Sequence, residues 1–125
     1  MGNPDILDRT FKFSLQIIKL YKKLTEQKEF IISNQLLRSA TSIGANVQEA
    51  SASFSKKDFA FKMSIASKEA RETRYWLELL KHSCLTEIEL DKYLEEINHI
   101  VAITTAIVKT TQKNLRKTSL GKNLI

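Results

Sequence analysis

An all-α fold, an up-down-up-down four-helix bundle filling residues 1–125 as one domain, is predicted by three observations. Punctuation is scarce: the 125 residues hold 3 Gly and 1 Pro, the latter at position 4, whereas a β-rich chain needs many turns. Four segments carry apolar residues at alternating three- and four-residue steps, the period of a helix. The links between them are short, which makes consecutive helices antiparallel neighbours. The length suits a single well-filled core, and no internal repeat or low-complexity run competes.

The expected helices span about 4–27, 34–53, 56–84 and 87–117, with a flexible tail over 118–125. Helix 1 opens on Asn3 as N-cap and Pro4 as first residue, with Asp5 and Asp8 complementing the helix dipole. Two stripes run along it: Ile6, Thr10, Phe13, Ile17, Leu20 and Leu24, and beside them Leu7, Phe11, Ser14, Ile18 and Tyr21. One stripe serves an ordinary amphipathic helix. Two imply a second buried contact.

Helix 2 is expected to be capped by Ser33 or Asn34 and to bury Leu36, Ala40, Ile43, Val47, Ala50 and Phe54. Gly44 inside it costs about 1 kcal/mol relative to Ala. Close approach of a neighbouring backbone would offset that; a kink is the other explanation. Helix 3 starts at Ser55, with Asp58 at the capping-box position, and its core stripe is Phe59, Met63, Ala66, Ala70, Thr73, Leu77, Leu80 and Cys84. Small residues on helices 2 and 3 predict a tight hairpin between them. Helix 4 is expected from Thr86, with Glu89 completing a capping box. Its stripe runs Leu90, Leu94, Ile97, Val101, Thr104, Val108, Thr111 and Leu115, widened by Tyr93, Ile100, Ile103 and Ile107.

Composition narrows the function classes. One cysteine, Cys84, excludes an internal disulfide framework and fits a reducing cytoplasm. The first residues have neither the basic start nor the apolar stretch of a secretory signal, and Gly2 lacks the Ser or Thr at position 6 that myristoylation favours. No apolar run approaches the roughly 20 residues that span a bilayer, so no membrane partner is expected. The formal net charge is +6, and Lys109, Lys113, Arg116, Lys117 and Lys122 follow one another with no acid among them. Six less those five leaves +1 for residues 1–108.

Arg38, Ser42, Asn46 and Glu49 form a polar ridge on helix 2, faced by Glu69, Glu72 and Trp76 on helix 3. The structural interpretation pairs Arg38 and Asn46 with those glutamates, Arg38 meeting Glu69 or Glu72, across a partly buried contact that fixes register; losing one partner of a buried pair costs about 3–5 kcal/mol. A binding or catalytic cluster is the competing interpretation. Its sharpest form is a dimetal enzyme using Glu49, Glu69, Glu72 and Glu96, since Glu96 and His99 make one Glu-x-x-His motif. The second motif fails, because His82 follows Glu78 by four residues, and His99 shares a face with Lys92, Glu95, Lys109 and Lys113. No nucleophile set or phosphate loop is present. A non-catalytic protein with no metal or other cofactor is therefore expected.

Lys109, Lys113 and Arg116 share a stripe of helix 4, with Lys117 beside it. The topology is expected to bring Arg9 and Lys12 of helix 1 to the same end, giving a patch able to neutralise phosphates of RNA or DNA. Bases near a helix C-terminus also simply complement the dipole.

The run Leu37-Arg38-Ser39-Ala40, Ser42-Ile43-Gly44-Ala45-Asn46 and Glu49-Ala50, followed by Ser55-Lys56-Lys57-Asp58-Phe59 and Ile65-Ala66, resembles the bacterial 23S rRNA intervening-sequence protein family, over about residues 5–117. The segment Lys68 to Leu77 is similar to one branch of that family. The resemblance implies a left-handed four-helix bundle assembled as a ring-shaped homopentamer. It also implies kinship in fold with the accessory protein of diversity-generating retroelements, which binds nucleic acid and a reverse transcriptase. The function expected is thus a homo-oligomeric scaffold that binds RNA or DNA weakly. The alternatives are the dimetal enzyme and an adaptor for a protein partner alone. Phe11, Tyr21 and Tyr93 are the expected contacts between copies.

Overall fold

Four helices follow one another along the chain: α1 (Pro4–Glu26), α2 (Ile31–Ser51), α3 (Lys56–Ser83) and α4 (Asp91–Leu124). They are seen in a computed structural model that describes residues 4–124 and the side chains of 6–118. Asn3, the expected cap of α1, lies outside the described residues. Each helix packs on its sequence neighbours and α4 closes back on α1, which is the predicted antiparallel four-helix bundle. The α2–α3 contact is the most extensive and the α1–α4 contact the smallest.

The periodicity translates directly into burial. Ile6, Thr10, Phe13, Ile17, Leu20 and Leu24 of α1 are all buried, as are Leu36, Ala40, Ile43, Val47 and Ala50 of α2. From α3 come Phe59, Met63, Ala66, Ala70, Thr73, Leu77 and Leu80; from α4 come Leu90, Leu94, Ile97, Val101 and Thr104. The α2–α3 seam is lined by small buried side chains, among them Ser39, Ala40, Ala66, Ala70 and Thr73. Small residues permit the tight hairpin that was expected there. The Thr73 and Ser39 hydroxyls stand 2.9 Å apart inside it, and no buried side-chain polar atom among the described residues lacks a partner.

Two members of the four main stripes are exposed. Phe54 is fully exposed, because α2 ends at Ser51 and the chain turns before the next step of the stripe can point inward. Cys84 is exposed too, in a left-handed conformation (φ 58°) that ends α3.

The helix ends show how a chain with few glycines turns. Lys28 takes the left-handed conformation (φ 65°). Its N–H reaches the Thr25 carbonyl at 2.9 Å while Glu29 N–H reaches the Leu24 carbonyl at 2.9 Å. That pair of bonds is a Schellman ending with lysine in the position that usually holds glycine. Helix α2 then starts three residues earlier than expected. Neither Ser33 nor Asn34 caps it: the Glu29 carboxylate accepts from the N–H groups of Ile32 (2.9 Å) and Ser33 (2.7 Å), so Glu29 supplies the negative group at the helix N-terminus. Ser55 caps α3 as expected, accepting from Asp58 N–H at 3.0 Å.

Helix α4 starts later than expected, at Asp91 rather than near 87. The Thr86 hydroxyl accepts from Ile88 N–H at 3.1 Å and donates to the Gln27 carboxamide at 2.8 Å, which ties the two connecting loops at this end together. The Lys81 ammonium meets the Asp91 carboxylate at 2.9 Å. Hydrogen bonding and charge attraction in that pair hold Asp91 below its ordinary pKa and raise Lys81. The far end of α4 also differs from expectation: helix continues from 118 to Leu124, through the segment expected to be a flexible tail.

Candidate functional site

Of the expected ridge contacts, Arg38 meets its glutamates and Asn46 does not. Arg38 reaches Glu69 at 3.3 Å and also donates to Glu72, which in turn accepts from the Trp76 indole N–H at 3.0 Å. Ser42 and Asn46 turn back onto their own helix, donating to the Arg38 and Ser42 carbonyls at 2.7 and 2.8 Å. Glu49 pairs with Lys62 at 3.0 Å. The ridge is partly buried, short of a fully buried pair: the Arg38 side chain is 48 % exposed, that of Glu72 33 % and that of Glu69 18 %. Water screens such a pair, so its removal costs far less than the 3–5 kcal/mol of a buried one.

The carboxylates of the dimetal alternative do not converge. Glu69 and Glu72 bind Arg38, Glu49 binds Lys62, and Glu96 binds Arg9 at 2.7 Å. Among the described residues no three His, Cys, Asp or Glu side chains stand together in a way that could hold a metal ion.

The basic end is built differently from the expectation. Arg9 forks onto both carboxylate oxygens of Glu96 and reaches His99 Nδ1 at 3.0 Å, while Lys12 pairs with Asp8 at 2.8 Å. Both cations are thus engaged with protein groups. They are also in the wrong place. Lys109 lies ten residues beyond His99, about 15 Å further along α4 at 1.5 Å per residue. The cause is length: α4 has 34 residues against 23 in α1, so it runs past the start of its neighbour.

Lys109–Lys117 are accompanied instead by the start of α3. The Arg71 guanidinium donates to the Thr105 hydroxyl at 2.8 Å, and the Ser67 and Thr105 hydroxyls are 3.5 Å apart, which fixes the antiparallel register of α3 on α4. Lys56 precedes Ser67 by eleven residues and Arg116 follows Thr105 by eleven, so the two are level. Lys56, Lys57, Lys109, Lys113, Arg116 and Lys117 are all exposed. The ion pairs of the described residues lie elsewhere and involve none of these six. Lys56 and Lys57 were missed in the sequence because their partners are some fifty residues away; the adjacent pair of lysines before Asp58 was the available signal.

The expected contact residues separate as well. Phe11 is 64 % exposed and, with Leu15 and Ile18, forms an uncovered apolar stripe on α1. Beside it an open groove of about 450 Å³ runs between α1 and α2, lined by Leu7, Phe11, Ser14, Thr41, Gly44, Ala45 and Gln48. Tyr21 is half-buried, its hydroxyl donating to the Asn34 carboxamide oxygen at 3.0 Å. Tyr93 is 4 % exposed and belongs to the core of its own bundle. It is occupied within the subunit and offers no contact surface. No helix among the described residues is long and apolar enough to cross a membrane.

The fold and these surfaces define a small antiparallel bundle with a polar α2–α3 ridge and a basic end. The chain belongs to the 23S rRNA-intervening sequence protein family, whose model matches residues 3–106. Among solved structures it is similar to a protein of unknown function of the S23 ribosomal protein family from Bacteroides thetaiotaomicron VPI-5482. The two are 42 % identical over 87 % of this chain and 99 % of the other, with a TM-score of 0.81. No curated protein sequence matches the chain. Residues Lys109–Lys117 lie beyond the stretch matched by the family model.

Proposed function

We propose that the protein is a non-catalytic, homo-oligomeric scaffold that binds RNA or DNA through the basic ends of its subunits. The observation that carries this reading is the cluster of six exposed cations at the α3 start and α4 end, none with an ion-pair partner among the described residues. Surface charge of one sign attracts polyanions, and each phosphate neutralised releases counterions. Self-association is supported by the bare Phe11–Leu15–Ile18 stripe, since contiguous exposed apolar surface marks contact sites. A pentamer is the assembly proposed. Five copies of a +6 chain carry about +30, and repeated weak contacts on one ligand act together. The reducing cytoplasm, where an exposed lone thiol such as Cys84 stays reduced, is the compartment that fits.

Titration of RNA and duplex DNA at two salt concentrations tests the proposal. Binding is expected to be sequence-tolerant and to weaken steeply with salt. Replacing Lys109, Lys113, Arg116 and Lys117 by Ser should leave the bundle folded and lower the slope of log affinity against log salt by roughly 0.9 for each duplex phosphate no longer neutralised. Absence of binding by the unaltered protein at low salt would overturn the nucleic-acid reading and leave a protein partner as its replacement.

A further inference from the structure

Among the residues expected in the core, Phe54 is the large aromatic side chain that ends wholly in solvent. Its backbone is nevertheless pinned on both sides. Ala52 N–H and Ser53 N–H bond the Glu49 and Ala50 carbonyls at 3.2 and 3.1 Å, the Ser53 hydroxyl bonds the Glu49 carbonyl at 3.2 Å, and Ser55 caps α3. The ring is therefore presented from a fixed turn.

That turn stands at the basic end. Phe54 precedes Lys56 by two residues, and Lys56 is level with Arg116 across the α3–α4 contact, where packed helix axes lie about 8–10 Å apart. Between Glu49 and Glu69 the sequence contains one acid, Asp58, and after Glu96 it contains none. An aromatic face set among cations, with Asp58 the one acid beside them, is the kind of surface that single strands use: bases stack on the ring while the phosphates follow the positive charges. A duplex keeps its bases stacked inside, so it can use the lysines but has nothing to lay on Phe54.

We propose that this end of the bundle takes single-stranded nucleic acid in preference to duplex, with Phe54 stacking on a base and Lys56, Lys57, Arg116 and Lys117 holding the adjoining phosphates. The inference rests on the nucleic-acid reading above and narrows it to a substrate class. A second copy of the chain is the poorer occupant, because joining two such ends would set like charges against each other, whereas the α1 stripe offers apolar surface without that penalty.

The test is fluorescence anisotropy with the full-length protein, using a labelled oligo-uridine of roughly 12 nucleotides, a length within the usual single-strand site range, and an RNA duplex of equal length, each at two salt concentrations. The single strand should bind more tightly. Phe54→Ala should weaken it about tenfold or more, within the range for removal of one base–aromatic stack, with the salt slope and duplex affinity unchanged and Phe54→Tyr restoring the loss. Lys56→Ser combined with Lys57→Ser should weaken both ligands and lower both slopes. If both ligands bind but Phe54→Ala alters neither, or alters both equally, the stacking role is wrong while phosphate binding stands. If neither ligand binds at low salt, the underlying reading falls with it. A change in the assembly mass of Phe54→Ala by light scattering would assign the ring to a contact between copies and overturn the proposal.

Discussion

Helices α1 and α4 carry the same doubled apolar pattern and use it in opposite ways. On α4 the second stripe turns inward: Tyr93 and Ile100 are buried, and Ile103 and Ile107 pack half-buried against the core. On α1 the second stripe stays outside, with Phe11 and Ile18 exposed and Leu15 beside them. The difference comes from the neighbours. The α1–α4 contact is the smallest in the bundle, so the outer face of α1 has no helix of its own chain to cover it, while α4 lies against α3 along most of its length. A wide apolar face thus identifies surplus surface without saying which helix keeps it.

Substituting one residue in each stripe separates their roles. Ile100→Ala removes a fully buried side chain and should cost about 2–5 kcal/mol in urea unfolding, as other large-to-small core changes do. Phe11→Asp should leave the secondary structure intact by circular dichroism yet reduce the light-scattering mass to that of a single chain. A monomeric unaltered protein at micromolar concentration would show that the α1 stripe serves something other than self-association.

A smaller effect is expected at the α2–α3 ridge, where α2 meets its best-packed neighbour. Arg38→Ala exposes two carboxylates that are already partly hydrated, so thermal unfolding should show a loss of about 1 kcal/mol. A loss of several kcal/mol would mean that the ridge behaves as a buried network.

The smallest effect sharpens the picture of the α1–α2 groove. Gly44 does pack close to α1, but a Cβ there would meet Ser14 Oγ at 3.4 Å and the Thr10 carbonyl oxygen at 3.5 Å, ordinary contact distances. Gly44→Ala should therefore change stability by no more than about 1 kcal/mol, in the stabilising direction, since Ala is the better helix former. A clear destabilisation in chemical denaturation would show that α1 and α2 cannot absorb even a methyl group.

The core was legible because period and burial are the same physics: most residues of the four main stripes are buried, Val108, Thr111 and Leu115 are half-buried, and only Phe54 and Cys84 among them are exposed. What escaped was set by partners distant in sequence or by local conformation. Arg9 looked like a member of the basic end, yet it binds Glu96, 87 residues away. The cap of α2 was hidden because Glu29, rather than a Ser or Asn, supplies the negative group. The turn at Lys28 was hidden because glycine ordinarily holds that conformation. Phe54 continued a perfect stripe, but the stripe outlasted its helix. Tyr93 belonged to a real second stripe whose direction only the packing of α4 decides.

The overrun of α4 past the start of α1 has a dynamic consequence. From Ile97 to Val101 the helix sits on a four-helix core, whereas Val108, Thr111 and Leu115 are only half-buried. Little apolar surface is exposed when that last stretch opens, so its amides should exchange with solvent through small local fluctuations, while those of Ile97–Val101 wait for unfolding of the whole bundle. The basic end is therefore carried on the least cooperative part of the helix. A ligand that bridges α3 and α4 there would tie the two together, and slowed amide exchange over Val108–Lys117 would record its arrival.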